Sequence, residues 1–144
     1  MSDSPTQTPI LSGQEIGVAA RATRAVLDAV LRDAGTTFPT WVALNQVGSN
    51  GASVPREALQ RNLAEGLAMD PGAVAGLLDE MAEAGLLQGT ASVELSPQGR
   101  ARYEGLRDAI GAAGARLWAG FDPDDLVTTR RVLLEVTERA RAQS

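Results

Sequence analysis

The residues most able to do chemistry in this chain are its acids. Asp79, Glu80 and Glu83 stand at helical spacings that can hold a metal ion when other ligands join them. None joins, because the chain has no His and no Cys and no fourth carboxylate lies near in sequence. The three therefore read as a solvated acidic face. Asp122, Asp124 and Asp125 are denser still, but acids in a first helical turn are accounted for by capping and the helix dipole. No metal and no cofactor is expected. Ser92 and Ser96 have no His or Lys anywhere in the chain to activate them, and no Gly-rich loop follows a strand as a phosphate cradle requires. Without thiols there is no disulfide framework, and without imidazole no near-neutral proton switch. An enzyme is not expected.

The cations are all arginine, thirteen in number. Arg21, Arg24, Arg100, Arg102 and Arg107 suit either an anion pocket or salt bridges to Asp28, Asp33, Glu104 and Asp108, and the salt-bridged surface is the simpler account. The net charge of -5 is unevenly placed: five Arg balance five acids up to Arg61, six acids and no base lie between Asn62 and Gly99, and eight Arg face seven acids thereafter. The middle of the chain is thus locally acidic.

At 144 residues and 44% hydrophobic content, one domain with its own core is expected. No run approaches the roughly 20 apolar residues of a membrane span, and the N-terminus has neither a basic region nor an apolar signal core, so the expectation is a cytoplasmic chain with no membrane partner. Residues 1–11 read as a disordered polar lead. Ser12 then caps a helix, with Glu15 as its capping-box partner and Leu11 and Ile16 at the spacing of a hydrophobic staple. Ile16, Ala20, Thr23, Leu27, Val30 and Ala34 mark its apolar stripe up to Gly35.

Thr37 and Pro39 open a second helix on which Trp41 and Leu44 should face inward. Gly48 to Ser53 reads as a loop by composition. From Arg56 to Leu67, leucines at 59, 63 and 67 mark a third helix. Asp70 caps and Pro71 begins the next, with Val74, Leu77, Leu78 and Met81 on one face. Gly85 ends it, and Leu86 to Leu95 reads as two short strands about a two-residue turn at Gly89 and Thr90.

Ser96 and Pro97 start the longest helix, about 24 residues and hence about 36 Å, striped by Tyr103, Leu106, Ile110, Ala113, Leu117 and Gly120. Gly111 and Gly114 cost helix propensity there, and close approach of another helix is a plausible return. Asp122 and Pro123 open the last helix, whose buried side is expected at Leu126, Thr129, Leu133, Val136 and Ala140. Helix, turn, helix and hairpin in this order form the plan of a winged helix-turn-helix. The fold expected is mainly α with a small β-hairpin wing.

Leu63 and Ala64, the Asp70-Pro71 start, Leu77-Leu78-Asp79 through Gly85-Leu86-Leu87, and Val93 to Gly99 together resemble the MarR family of winged-helix transcription regulators. The likeness extends from about Ser12 to Ala142. It implies a winged helix over about 37–96 within one domain spanning 12–144, flanked by dimerisation helices over about 12–35 and 97–142. It implies a homodimer, with Ile16, Ala20, Leu27, Ile110, Leu117, Trp118, Leu126 and Leu133 at the interface. It also implies a duplex DNA operator contacted from Arg56, Arg61, Gly72, Ala73, Gly76, Arg100 and Arg102, and a small aromatic or anionic effector beside Phe38, Trp41 and Tyr103. In this chain the wing lacks the family's Asp-x-Arg or Arg-Arg element.

Duplex binding draws most of its free energy from cations that neutralise phosphates, and the expected reading head carries acids instead. Two functions follow from the sequence. One is a DNA-binding regulator of the kind the resemblance implies. The other is a winged-helix dimer that no longer binds DNA and uses its acidic face as a protein-interaction module.

Overall fold

The computed structural model describes residues 10–144; Met1–Pro9, where most of the expected disordered lead falls, lie outside the described residues. Along these run α1 (Gly13–Asp33), α2 (Phe38–Ser49), β1 (Val54–Pro55), α3 (Arg56–Leu67), α4 (Pro71–Glu83), β2 (Leu87–Gln88), β3 (Ser92–Leu95), α5 (Pro97–Trp118) and α6 (Pro123–Gln143). The chain divides into two compact units, one ending at Ala113 and the other spanning Gly114–Ser144. No described helix is long and apolar enough to cross a membrane.

Helix starts follow their local chemistry. Ser12 and Glu15 form a full capping box on α1, and hydrogen bonds from Ser12 hold the Glu15 carboxyl below its ordinary pKa. Thr37 accepts from Thr40 N, Asp70 from Gly72 N at 3.0 Å and Asp122 from Asp124 N at 2.8 Å. Ser96 works in both directions: its hydroxyl accepts from Gly99 N at 2.9 Å and donates to the Gly85 carbonyl. One side chain thereby fastens the end of α4 to the start of α5.

The core of the first unit gathers Leu31, Leu44, Val47, Leu59, Leu63, Val74, Leu78, Met81, Leu87, Val93, Leu95, Tyr103 and Leu106. It is the place where α2, α3, α4 and the sheet meet. Gly48 belongs to it and not to a loop, since α2 continues through Ser49. A Cβ at Gly48 would lie 2.7–2.9 Å from the Tyr103 ring, so the absent side chain is what lets that ring lie on the helix. The same ring stacks on Trp41, with centroids 5.8 Å apart and planes inclined by 18°.

The wing differs from expectation in its register. Leu87 pairs with Leu95 and Gln88 with Glu94, so Gly89 through Val93 lies between the paired ends in place of a two-residue turn. The reason is a strand that the sequence does not announce. β1, only Val54 and Pro55, pairs antiparallel with Val93 and Ser92 and fixes β3 from its other edge, giving the order β1-β3-β2. Pro55 is tolerated because β1 is an edge strand.

Within the second unit taken by itself, the expected burial of the last helix is not found. No α6 residue is buried, Leu126 is half-buried, and Leu133 and Val136 are exposed. Trp118, Leu126, Leu133 and Leu134 line an apolar groove of about 440 Å³ with Thr129 and Arg130. The α1 stripe is also only partly covered: Leu31 is buried, Ile16 and Leu27 are half-buried and Ala20 is exposed. A stripe periodicity marks an apolar face without saying whether its own chain covers it.

Candidate nucleic-acid interface

The helix-turn-helix is built by two leucine faces meeting. Leu59 and Leu63 of α3 and Val74, Leu78 and Met81 of α4 enter the core, which fixes the angle between the helices and leaves their other faces to solvent. The turn is closed by Ala68 in the left-handed conformation (φ 51°), with its N–H bonded to Ala64 O and Glu65 O and Met69 N bonded to Ala64 O at 3.0 Å. A non-glycine residue there carries a cost of about 1 kcal/mol, offset by the hydrogen bonds it closes.

On the outward side of α4, Gly72, Ala73 and Gly76 are exposed at the N-terminal half, and a Cβ at Gly76 would meet nothing within 4 Å. Asp79, Glu80 and Glu83 are exposed on the following turns. The leading half of the helix therefore presents backbone and small groups, and the trailing half presents carboxylates.

The four candidate arginines separate into two kinds. Arg61 is exposed on α3 in a shallow groove shared with Glu57, Glu65 and Pro71. Arg100 is exposed in the first turn of α5, beside Gln88 and Glu94 of the wing. Arg56 instead places Nη2 2.9 Å from Asp79 Oδ1. Arg102 reaches back to donate to the Ala34 carbonyl at 2.7 Å, where it caps the end of α1. Its guanidinium fastens that helix end, and the residue is half-buried. Exposed Gly89 to Ser92 form the wing tip, behind which Gln88 Nε2 donates to Glu94 at 2.7 Å. No base sits on the wing.

Phe38, Trp41 and Tyr103 each make a specific contact within the fold. Trp41 and Tyr103 stack on each other, and Phe38 carries the Arg24 guanidinium 3.4 Å from its ring centroid while Arg24 also pairs with Asp28. A cleft of about 640 Å³ opens elsewhere in this unit, between Thr36 and Thr40, Leu77, Glu80 and Met81 of α4, and Gln98 and Arg102 of α5. The aromatic reading missed it because its polar lining comes from three separate elements. The packing role of Gly48 had a signal: Trp41, Leu44 and Gly48 keep helical spacing past the point where composition suggests a loop. Among the described residues, no group of three or more acids is placed to hold a metal ion.

No protein-family model matches the sequence, and no curated protein is similar to it by sequence. The three-dimensional likeness is clear. A Mycobacterium tuberculosis MarR family protein, Rv2887, in complex with DNA is 22% identical with a TM-score of 0.71, over 90% of this chain and 98% of that one. The transcriptional regulator PA3341 is 21% identical with a TM-score of 0.75, over 90% and 98%. CouR from Rhodococcus jostii RHA1, bound to p-coumaroyl-CoA, is 23% identical with a TM-score of 0.68, over 85% and 88%. These matches and the geometry above define a winged helix-turn-helix protein. Its fold is that of the MarR-family transcription regulators.

Proposed function

We propose that this protein is a homodimeric, DNA-binding transcription regulator controlled by a small anionic or aromatic effector. The observation that carries the DNA reading is the uncovered leading half of α4, where Gly72, Ala73 and Gly76 leave the backbone and the positive helix end open to a groove. Likeness to a solved protein–DNA complex supports it. With Arg56 and Arg102 engaged, Arg61 and Arg100 remain as phosphate contacts, two per subunit. Each neutralised phosphate contributes about 0.9 to the log-log salt slope, so the dimer should show a slope no steeper than about four, shallow for a regulator.

Fluorescence anisotropy on the duplex upstream of its own coding sequence, over a salt series, tests this. Glu80→Gln with Glu83→Gln should tighten binding several-fold, because at a Debye length of about 8 Å these acids are felt by a docked phosphate backbone. Arg61→Ala should weaken it and lower the slope. A specific observation favours the second function, an acidic protein-interaction module: α4 exposes Asp79, Glu80 and Glu83, and of these Asp79 alone has an arginine, Arg56, paired with it among the described residues. Absence of DNA binding even at low salt would decide for that module.

The effector would enter the cleft at Thr36, Thr40, Gln98 and Arg102, where hydroxyls, an amide and the guanidinium donors not spent on Ala34 O can meet a carboxylate held away from Glu80, above the apolar floor of Leu77 and Met81. In a Trp118→Phe background, aromatic carboxylates should change Trp41 fluorescence saturably. A flat titration across a panel would remove effector control from the proposal.

A further inference from the structure

One ion pair crosses between the two helices of the helix-turn-helix, and it involves the only base that α3 presents at its N-terminus. Arg56 Nη2 lies 2.9 Å from Asp79 Oδ1, the arginine side chain 25% exposed and the aspartate 69%. The Arg56 backbone N–H also donates to Ala91 O of the wing at 2.9 Å. Arg56 thus stands where the first helix, the recognition helix and the wing meet, elements that in this fold class flank the duplex backbone. A carboxylate and a phosphate diester compete for the same planar guanidinium donors. A pair this exposed adds little to stability, so the fold does not depend on it.

We infer that Asp79 is an internal stand-in for a backbone phosphate: it holds Arg56 out of DNA contact and sets the affinity of the docking face, and binding DNA through Arg56 requires exchanging that carboxylate for a phosphate. The inference rests on the DNA-binding function proposed above. It assigns Asp79 an effect on affinity that runs through Arg56, distinct from the general repulsion exerted by Glu80 and Glu83. No covalent step is involved.

The test is a double-mutant cycle with a charge control, using the full chain and the same upstream duplex across a salt series. Asp79→Asn should bind about tenfold tighter, the scale of one charge-assisted hydrogen bond to a phosphate, and its log-log salt slope should rise by about two for the dimer as each subunit neutralises one more phosphate. Glu80→Gln removes the same charge one residue away and should tighten binding with the slope unchanged. In an Arg56→Ala background, Asp79→Asn should tighten binding no more than Glu80→Gln does. The inference is overturned if Asp79→Asn leaves the slope unchanged, or if its full effect persists without Arg56. If the parent protein and every variant fail to bind duplex DNA, both this inference and the DNA-binding function fall; binding by the parent with no coupling between Asp79 and Arg56 removes the inference alone.

Discussion

Leu117→Asp is expected to convert the protein from a dimer to a monomer, read by light scattering at micromolar concentration. Leu117 closes the apolar stripe of α5, yet it is 39% exposed, and Trp118 beside it is 52% exposed. Leu134 and Val127 on α6 are also left open to water. Monomers rarely expose contiguous apolar surface of this kind unless a partner covers it. A second copy covering the face would bury each such side chain for about 1.5–3 kcal/mol, whereas a carboxylate brought into the same contact would be desolvated without a hydrogen-bonding partner. Since the residue is already partly exposed within one chain, the substitution should leave the helical circular dichroism intact while removing association. A parent protein that is monomeric at this concentration would count against the dimer, and a stable dimeric Leu117→Asp would place the interface elsewhere.

Gly99→Ala should lower stability by about 3 kcal/mol, a fall in Tm of roughly 10 °C. Gly99 is buried in the first turn of α5, and a Cβ there would stand 2.0 Å from the Leu86 carbonyl oxygen and 2.9 Å from its carbon. The obstacle is backbone, and that oxygen already accepts from Ser96 N at 3.0 Å. The joint that ties β2 to α5 must therefore open for any larger residue to fit. Alanine is otherwise the better helix former by about 1 kcal/mol, which supplies the internal control. Gly105→Ala, with nothing within 4 Å of the added carbon, should raise Tm slightly. Equal effects of the two substitutions in thermal melts would show that the Leu86 contact does not constrain α5.

The arginines carry the clearest division between what sequence shows and what it hides. As charges, Arg56, Arg61, Arg100 and Arg102 are equivalent in the sequence, all flanking an acidic centre. Their fates differ because a guanidinium several bonds from the backbone reaches partners set by packing: Arg56 finds Asp79 and Arg102 finds Ala34 O, neither nearby along the chain. The aromatic candidates behave alike, since Trp41 and Tyr103 meet across the core on the space left by Gly48.

What the sequence determined by itself is what acts over a single helical turn. Ser12, Thr37, Asp70, Ser96 and Asp122 each cap a helix through a bond closed within three residues, and the spacing of Val74, Leu78 and Met81 fixes which face of α4 is buried before any partner is known. Helix order and the winged-helix plan follow from those local signals. Tertiary structure alone decided the wing register, because it is set by the pairing of Val54 and Pro55 with β3, and a strand so short has no periodicity to read. It also decided which apolar stripes stay uncovered. A stripe records that a face avoids water, but only the positions of the other elements determine whether the same chain can cover it.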